Sequence, residues 1–273
     1  MIQLLLCCFF LTSLAASELD DLRKERKWGE LIVKGEQKLE ESDLTDQWII
    51  LDELVSAYFF LGDYEKAKTC ADSLLSIGSK LDNPRLRITS LYKLSAVFRG
   101  EGFFEKAKEF SLIALEQAQE KCPDDLFLKI QILFNAGAAE CDNPQGDFAK
   151  GVSFYEEAVD LFSSPNPNTL LSKEKNYDDF YHRLLIRLGK GYFLLGKHSL
   201  AASILDKLST LPLEKRTLMH FIYLKAQVLK ESGFYLHSIR LCQEGLAIAI
   251  ELYAKVDEKR FNDLLAALSE TLH

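Results

Sequence analysis

The stretch GYFLLGKH, residues 191–198, nearly matches the glycine spacing and the lysine of a phosphate-binding loop. Such a loop needs small residues whose backbone N–H groups face the phosphate, and a Ser or Thr hydroxyl after the lysine to bind magnesium. Here large apolar residues separate Gly191 from Gly196, and His198 follows Lys197. Apolar residues recur every three or four positions on both sides of Gly196, which predicts two amphipathic helices around a turn and no nucleotide site.

A second group of residues with acid–base chemistry is NYDDFYH, residues 176–182. Two carboxylates beside a histidine could serve as general acid and base. The structural alternative is that Asp178 and Asp179 open a helix, where carboxylates favour the positive end of its dipole, and that Tyr181 and His182 pack or face solvent. The five histidines show no HExxH or paired-ligand spacing. We predict a non-enzymatic protein without a cofactor or metal site, and an enzyme is the less favoured alternative.

The cysteines beyond the first sixteen residues are Cys70, Cys122, Cys141 and Cys242. Cys122 and Cys141 bracket a predicted helix about 24 Å long. A disulfide needs Cα atoms within about 7 Å of each other, so this pairing is disfavoured. We expect four thiols that pack as small hydrophobes, with no cysteine pair spaced as in a zinc site.

The N-terminal segment MIQLLLCCFFLTSLAA contains no charged side chain and ends in small residues. It resembles a secretory signal peptide, although no Lys or Arg precedes the apolar run. We predict a signal peptide over residues 1–16 and an exported protein, periplasmic or secreted. An uncleaved segment that anchors the protein to a membrane, or a buried first helix, is the alternative.

The charge and composition of the chain limit its partners. The sequence has 273 residues, 48% of them hydrophobic, and a formal net charge of −8. A chain of this composition can bury a core, while its negative charge disfavours binding to nucleic acid or anionic lipid. We therefore predict no nucleic-acid partner, and a membrane contact only if the N-terminal segment is retained.

A pattern recurs five times along the chain: a glycine, an aromatic residue or His two positions later, and a small residue five positions after the glycine. Glycine permits a left-handed turn between two helices, and the small residue allows those helices to approach closely. Each copy therefore predicts a helical hairpin. The copies are Gly62/Tyr64/Ala67, Gly102/Phe104/Ala107, Gly146/Phe148/Gly151, Gly196/His198/Ala201 and Gly233/Tyr235/Ser238.

These spacings resemble the tetratricopeptide repeat (TPR), a helix–turn–helix unit of about 34 residues. The best copy is Leu188-Gly189-x-x-Tyr192 followed by Gly196, Ala201 and Pro212, whereas the turn glycines lie farther apart than in the family and Gly245 replaces the usual alanine. The resemblance implies an all-α, right-handed α-solenoid of stacked helical hairpins with terminal capping helices. We predict N-terminal capping helices over 17–45, five TPR-like units over 46–255 and a C-terminal capping helix over 256–273.

The six prolines and the absence of strand-like patterns support an all-α reading. Proline inside a helix costs about 3 kcal/mol and should lie in connections. The six prolines fit this rule: Pro84, Pro123, Pro144, Pro165, Pro167 and Pro212 all fall in predicted connections. No run shows the alternation or the Val/Ile/Thr enrichment of a strand.

The resemblance also implies a groove, lined by the first helix of each unit, that binds an extended peptide or a partner protein. Positions that face this groove in the family carry over to Asp52, Ser56, Phe134 and Gln227 and to the predicted site residues Phe59, Tyr92, Lys93, Arg99, Asn135, Arg183, Arg187, Lys190, Tyr223 and Lys230. Cations dominate this set, and Arg183, Arg187 and Lys190 share one helix face.

We therefore predict a scaffold or adaptor that binds a protein or a peptide. One hypothesis for this ligand is an acidic or carboxylate-bearing peptide. The alternative interpretation of these cations is that they only keep an apolar face soluble. A membrane-tethered, chaperone-like assembly or secretion factor is the alternative function.

Overall fold

The computed structural model describes residues 18–23, 25, 27–163 and 177–272, and these residues form helices joined by short connections. No strand occurs among them. The predicted signal peptide at 1–16, with Cys7 and Cys8, and the prolines Pro165 and Pro167 lie outside the described residues. The all-α prediction is confirmed.

The chain divides into two compact units, Met1–Pro123 and Asp124–His273. In the first unit, a short helical segment at 18–23 precedes five helices: α1 Trp28–Leu39, α2 Leu44–Leu61, α3 Tyr64–Lys80, α4 Pro84–Glu101 and α5 Phe104–Lys121. The second unit contains seven described helices: α6 Leu126–Cys141, α7 Phe148–Ser163, α8 Tyr177–Leu194, α9 His198–Ser209, α10 Lys215–Glu231, α11 Tyr235–Glu251 and α12 Lys255–Leu272.

Consecutive helices pair as hairpins, and four of the predicted turn glycines take the left-handed conformation. Their φ angles are 79° at Gly62, 86° at Gly102, 69° at Gly196 and 81° at Gly233. Each glycine follows the first helix of a hairpin, so the chain reverses without the steric cost that a Cβ would add. The stretch that resembles a phosphate-binding loop is one of these turns, between α8 and α9.

Gly146 is the exception, and here the prediction of a left-handed turn is wrong. Gly146 is absent from the positive-φ residues, and it lies in a longer connection between α6 and α7. A Cβ at this position would collide with the carbonyl oxygen of Glu140, on the last turn of α6. Glycine is needed here because two backbone segments approach closely, not because the turn is left-handed.

The small residue five positions after each of these glycines lies in the hairpin interior, as the sequence pattern predicts. All five are buried: Ala67, Ala107, Gly151, Ala201 and Ser238. At Gly151 a Cβ would lie 2.6 Å from Sγ of Cys141, which leaves no room for a larger residue. The second helix of each hairpin thus packs directly against the first.

Gly245 departs from the alanine typical of the repeat, and the second unit explains why. The ring of Phe261, on α12, occupies the space that a Cβ of Gly245 would need. Phe261 is 1% exposed and also packs edge-on against Tyr223, with ring centroids 5.2 Å apart. The last hairpin is therefore matched in shape to α12.

Pro84 lies at a helix end, where proline is tolerated. Pro84 begins α4, where its missing N–H costs nothing, and Asn83 caps that helix by accepting a hydrogen bond from the N–H of Leu86.

The four cysteines of the described part are free thiols, with Cys141 and Cys242 buried. None of the described helices combines the length and the apolar composition that crossing a membrane requires. The predicted domain boundaries stay a prediction.

Candidate functional site

The predicted ligand-facing residues lie on the first helices of the hairpins, α2 and α4 in the first unit and α6, α8 and α10 in the second. Whether they contact a ligand stays a prediction. The structure does show what each side chain contacts within the protein, and most of the charged ones already have a partner.

In the first unit, Lys93 of α4 is paired with α2. Its Nζ lies 2.5 Å from Oδ1 of Asp52 and donates to the hydroxyl of Ser56 at 3.5 Å. The Lys93 side chain is only 15% exposed. Two residues predicted to line the ligand face thus bind a third, which joins successive first helices.

A second ion pair lies beside it, and sequence reasoning missed it. Nε of Arg23, in the helical segment 18–23, lies 3.2 Å from Oε2 of Glu53 on α2, and Arg23 also contacts Asp20. Burial raises the pKa of Glu53 to about 7, with Asp52 adding to the effect and Arg23 and Lys93 opposing it. Nothing in the sequence around Glu53 indicated that this glutamate, next to the predicted site residue Asp52, would be buried.

The remaining predicted residues of the first unit are aromatic or lie at a helix end. Tyr92 is 9% exposed, so it belongs to the core as well as to the predicted face. The Phe59 ring meets the Tyr64 ring edge-on at 5.5 Å. Arg99 is partly buried in the last turn of α4, where a cation favours the negative end of the helix dipole.

In the second unit, Asp142 joins the end of α6 to the middle of α8. Nη1 of Arg187 donates to both carboxylate oxygens of Asp142, at 2.8 and 2.9 Å, and Nζ of Lys190 donates to Oδ1 at 2.6 Å. The Asp142 side chain is 8% exposed. The sequence prediction missed Asp142 because an aspartate before Asn-Pro is typical of a turn residue.

The two cations respond differently to this arrangement. Burial alone would lower the pKa of Arg187, but the charge and hydrogen bonds of Asp142 outweigh it and raise that pKa. Burial lowers the pKa of Lys190, and the charges of Arg187 and Arg260 lower it further than Asp142 can restore. Asp142 therefore favours the charged form of both cations, but only at Arg187 does it outweigh the effect of burial on the pKa.

Arg183, one turn before Arg187, is the most exposed of the three α8 cations. Its Nε lies 3.1 Å from Oδ2 of Asp179 on the same helix, and the side chain is 36% exposed. Asp179 also accepts a 2.5 Å hydrogen bond from the hydroxyl of Thr217 on α10. This aspartate orients Arg183 and links the first helices of two hairpins.

Aromatic rings lie beneath these arginines. The guanidinium of Arg183 lies 5.1 Å from the centroid of Phe180, and that of Arg187 lies 5.9 Å from the centroid of Phe134. Phe134 and Phe180 pack against each other at 5.3 Å, and Phe127 meets Phe180 at 5.7 Å. The three rings are only partly buried, so α6 and α8 present a surface of aromatic rings and arginines.

The other predicted residues of the second unit are less available for a ligand. Asn135 is 8% exposed and donates through Nδ2 to the carbonyl oxygen of Gln131, one turn earlier in its own helix. Tyr223 packs edge-on against Phe261. Lys230 lies partly exposed in the last turn of α10.

Residues 177–182 of the NYDDFYH stretch form the start of α8, as the structural interpretation of this stretch predicts. Asp178 and Asp179 lie in the first turn of that helix, and His182 is 9% exposed. Tyr181 packs against Phe162 at 5.2 Å and accepts a hydrogen bond from Lys207. Asp179 is engaged by Arg183 and Thr217.

A further charged group links α10 to α12. Nε2 of His220 lies 3.6 Å from Oδ1 of Asp257, and Nη1 of Arg260 donates to the same oxygen at 3.2 Å. Burial alone would raise the pKa of Asp257, but His220 and Arg260 lower it to about 2. The sequence prediction assigned Asp257 and Arg260 to a capping helix and did not foresee this contact.

The comparison with known families agrees with this geometry. A tetratricopeptide-repeat family model matches residues 50–77, which span most of α2 and α3 with the turn at Gly62. The matched segment resembles one tetratricopeptide repeat, as the sequence pattern predicts. No curated protein sequence matches it at a significant level.

Solved structures show the same TPR fold over nearly the whole chain. One is a tetratricopeptide repeat protein from Parabacteroides merdae, with 14% identity, coverage of 94% of this chain and 84% of that one, and a TM-score of 0.63. A Rap protein complexed with Competence and Sporulation Factor gives 14% identity, 94% and 74% coverage and a TM-score of 0.62. NprR in complex with its cognate peptide NprX gives 13% identity, 97% and 73% coverage and a TM-score of 0.61. At these identities the likeness concerns the fold.

Proposed function

We propose that this protein is a non-enzymatic scaffold that binds a protein or an extended peptide on the first helices of its hairpins. The observation that carries the proposal is the surface of α6 and α8, where Arg183 lies over the partly exposed ring of Phe180. Rings and arginines together offer apolar contact area and planar hydrogen-bond donors, which are the chemistry of peptide recognition. The Rap and NprR structures, both complexes with named ligands, add support from the same fold.

The ligand of this proposal includes acidic or carboxylate-bearing segments. A guanidinium presents a planar pair of donors that suits a carboxylate. Arg183 is better placed for this than Arg187, because 36% of its side chain is exposed and Asp179, whose carboxylate lies 3.1 Å from its Nε, is on its own helix. Arg187 is fixed by two hydrogen bonds to the nearly buried Asp142. We therefore assign the first ligand contact to Arg183 and a supporting role to Arg187.

Capture of a partner from an extract of the native host tests this assignment. The full chain is immobilised and the bound proteins are identified, with wild type compared to Arg183→Glu and to Arg240→Glu. Arg240 is an exposed cation on α11, a second helix, and it serves as the matched control. We expect Arg183→Glu to lose the partner and Arg240→Glu to retain it. Equal capture by both variants would rule out a ligand contact at Arg183.

Export of the protein is part of the proposal and rests on the N-terminal sequence. The intact mass of the protein, expressed at its native level in its own host and separated by fractionation, tests it directly. A mass that begins at Ala16 or Ser17 in an exported soluble fraction supports a cleaved signal peptide. A full-length mass in the membrane fraction would favour the alternative of a membrane-tethered, chaperone-like assembly or secretion factor.

A further inference from the structure

Among the buried residues of α10, a helix that the structure describes along its whole length, Thr217 alone has a polar side chain. It is 1% exposed. The other buried residues of this helix are Met219, Phe221, Ile222, Leu224 and Ala226. Valine has nearly the same size and shape as threonine and would fill this place without a polar group that has to leave water. A buried hydroxyl at this position therefore calls for a reason other than packing.

The hydroxyl of Thr217 contacts another helix. Its Oγ1 donates a 2.5 Å hydrogen bond to Oδ1 of Asp179, in the first turn of α8. The other oxygen of that carboxylate, Oδ2, lies 3.1 Å from Nε of Arg183. Each oxygen of Asp179 thus has a contact of its own, and one of these contacts comes from α10.

The two ends of this series of contacts differ in their freedom to move. Thr217 is β-branched and buried, so few values of its χ1 angle are accessible. Arg183 has a long side chain with many rotamers, and 36% of it is exposed. Thr217 limits the rotation of Asp179, and Asp179 lies against one edge of the guanidinium group. The ring of Phe180 lies 5.1 Å beneath the same group.

The position of Asp179 explains why an anchor on a second helix matters. Asp179 lies in the first turn of α8, and helix ends tend to fray. A contact made within that turn alone would share its motion. Thr217 connects the turn to α10, 38 positions later in the sequence. The orientation of Arg183 therefore depends on the packing of α10 against α8.

We propose that Thr217 is a positioning residue for ligand binding: through Asp179 it holds the guanidinium of Arg183 in the orientation that binds a carboxylate of the ligand. That Arg183 contacts a ligand rests on the proposed function. A side chain that is fixed before binding loses less conformational entropy when the ligand arrives, so the affinity is higher. Thr217 itself is buried and acts only through Asp179.

Three variants of the full chain separate the hydroxyl from the shape of the side chain. Thr217→Val keeps the shape and removes the donor, whereas Thr217→Ser keeps the donor and removes a methyl group. Thr89→Val makes the first exchange at a threonine that is 6% exposed on α4, in the first unit, and is the matched control. Thermal unfolding of each variant shows whether it is folded.

The mobility of Arg183 is the first readout, and it needs no ligand. The order parameter of its Nε–H bond is measured by NMR relaxation, and the signal is assigned by its absence from Arg183→Glu. Arg187, which Asp142 holds by two hydrogen bonds, is the internal reference. We expect the order parameter of Arg183 to fall below about 0.6 in Thr217→Val, the range of a flexible group, and to stay at the wild-type value in Thr217→Ser and Thr89→Val. An unchanged order parameter in Thr217→Val would overturn the proposal.

The affinity for the partner is the second readout. The partner that the wild-type chain captures is purified and titrated against each variant. We expect Thr217→Val to bind about fivefold more weakly, the effect of one net hydrogen bond, and Thr217→Ser and Thr89→Val to bind as wild type does. Full affinity in Thr217→Val, while Arg183→Glu loses the partner, would overturn the positioning role. Retention of the partner by Arg183→Glu would instead overturn the ligand contact itself, so failure of the proposed function and failure of the positioning role give different results.

Discussion

Asp142 and Arg187 lie 45 positions apart in the sequence and are joined by two hydrogen bonds of 2.8 and 2.9 Å. This pair connects the end of α6 with the middle of α8. A similar relationship recurs in the first unit, where Lys93 of α4 binds Asp52 of α2. In both units, successive first helices are thus cross-linked by a buried or partly buried ion pair on the side where a ligand is expected.

Asp142→Asn tests how much the protein depends on the first of these pairs. The change leaves Arg187 and Lys190 without their shared carboxylate, so we expect the free energy of unfolding to fall by roughly 2 to 4 kcal/mol. Urea denaturation measures the loss. Asp206→Asn, at an exposed position on α9, is the matched control and should change stability by less than about 0.5 kcal/mol. Equal stability of the two variants would show that Asp142 is dispensable.

The raised pKa of Glu53 predicts that the stability of the folded protein depends on pH. Folding raises the pKa of Glu53 from 4.5 to about 7, mainly through burial. The folded protein therefore holds this proton more tightly than the unfolded chain does. The stabilising contribution of Glu53 to the free energy of unfolding is complete below about pH 4.5. It is lost as the pH rises through about 7, and it totals at most about 3 kcal/mol.

Glu53→Gln isolates this contribution from those of other groups. The amide keeps the size and shape of the side chain but cannot ionise. We expect the variant to be more stable than wild type at pH 8, and the difference to shrink or reverse at pH 5. Urea unfolding at a series of pH values measures it. A stability difference that stays constant from pH 5 to pH 8 would contradict the raised pKa.

Phe103 and Phe234 occupy the N-cap positions of α5 and α11 and make no side-chain capping bond. Asp63 has the same position before α3 and accepts a hydrogen bond from the N–H of Lys66. The backbone angles agree closely, −84° and 71° at Asp63 against −86° and 58° at Phe234. We therefore expect Phe234→Asp to raise the free energy of unfolding by about 1 kcal/mol.

Phe234→Ala is the control for that substitution. Phe234 is 57% exposed, and alanine removes the ring without adding a cap. Thermal or urea unfolding of the two variants separates capping from the loss of an exposed ring. If alanine and aspartate give the same stability, capping at this position has no effect.

The close contact between Gly245 and Phe261 predicts that substitutions at these two positions have coupled effects on stability. Gly245→Ala should lower the free energy of unfolding by about 1 to 3 kcal/mol, because the added methyl group overlaps the phenyl ring. Phe261→Leu frees part of that space, so the double variant should lose less than the sum of the two single variants. Gly29→Ala is the control, since nothing lies within 4 Å of the added group there. Additive losses would show that the two residues do not compete for space.

The fold was accessible to sequence reasoning because its determinants are local. The turn glycines and the small residues that follow them lie five positions apart, so one hairpin could be read from one short stretch. Gly146 was misjudged since its constraint comes from the carbonyl group of Glu140 and not from its own φ angle. The same difference explains Gly245, whose neighbour Phe261 lies in the next helix.

The candidate site was less accessible because its charges depend on contacts between distant segments. Helical spacing placed Arg183, Arg187 and Lys190 on one face, yet it gave no sign that Asp142 would bind two of them. The glutamate at 53 and the histidine at 220 resemble ordinary surface residues until neighbouring helices bury them. A count of cations on one helix therefore overstates the charge that a ligand would meet.

The ring of Phe261 in the space left by Gly245 has a consequence for the order of the hairpins. A hairpin copied from elsewhere in the chain, with an alanine in place of Gly245, could not accept α12 as its neighbour. Conversely, a helix with a smaller residue in place of Phe261 would leave a void over Gly245. The contact between the last hairpin and α12 therefore depends on both residues. Exchanging or duplicating a hairpin at this end of the chain would require Gly245 and Phe261 to change together.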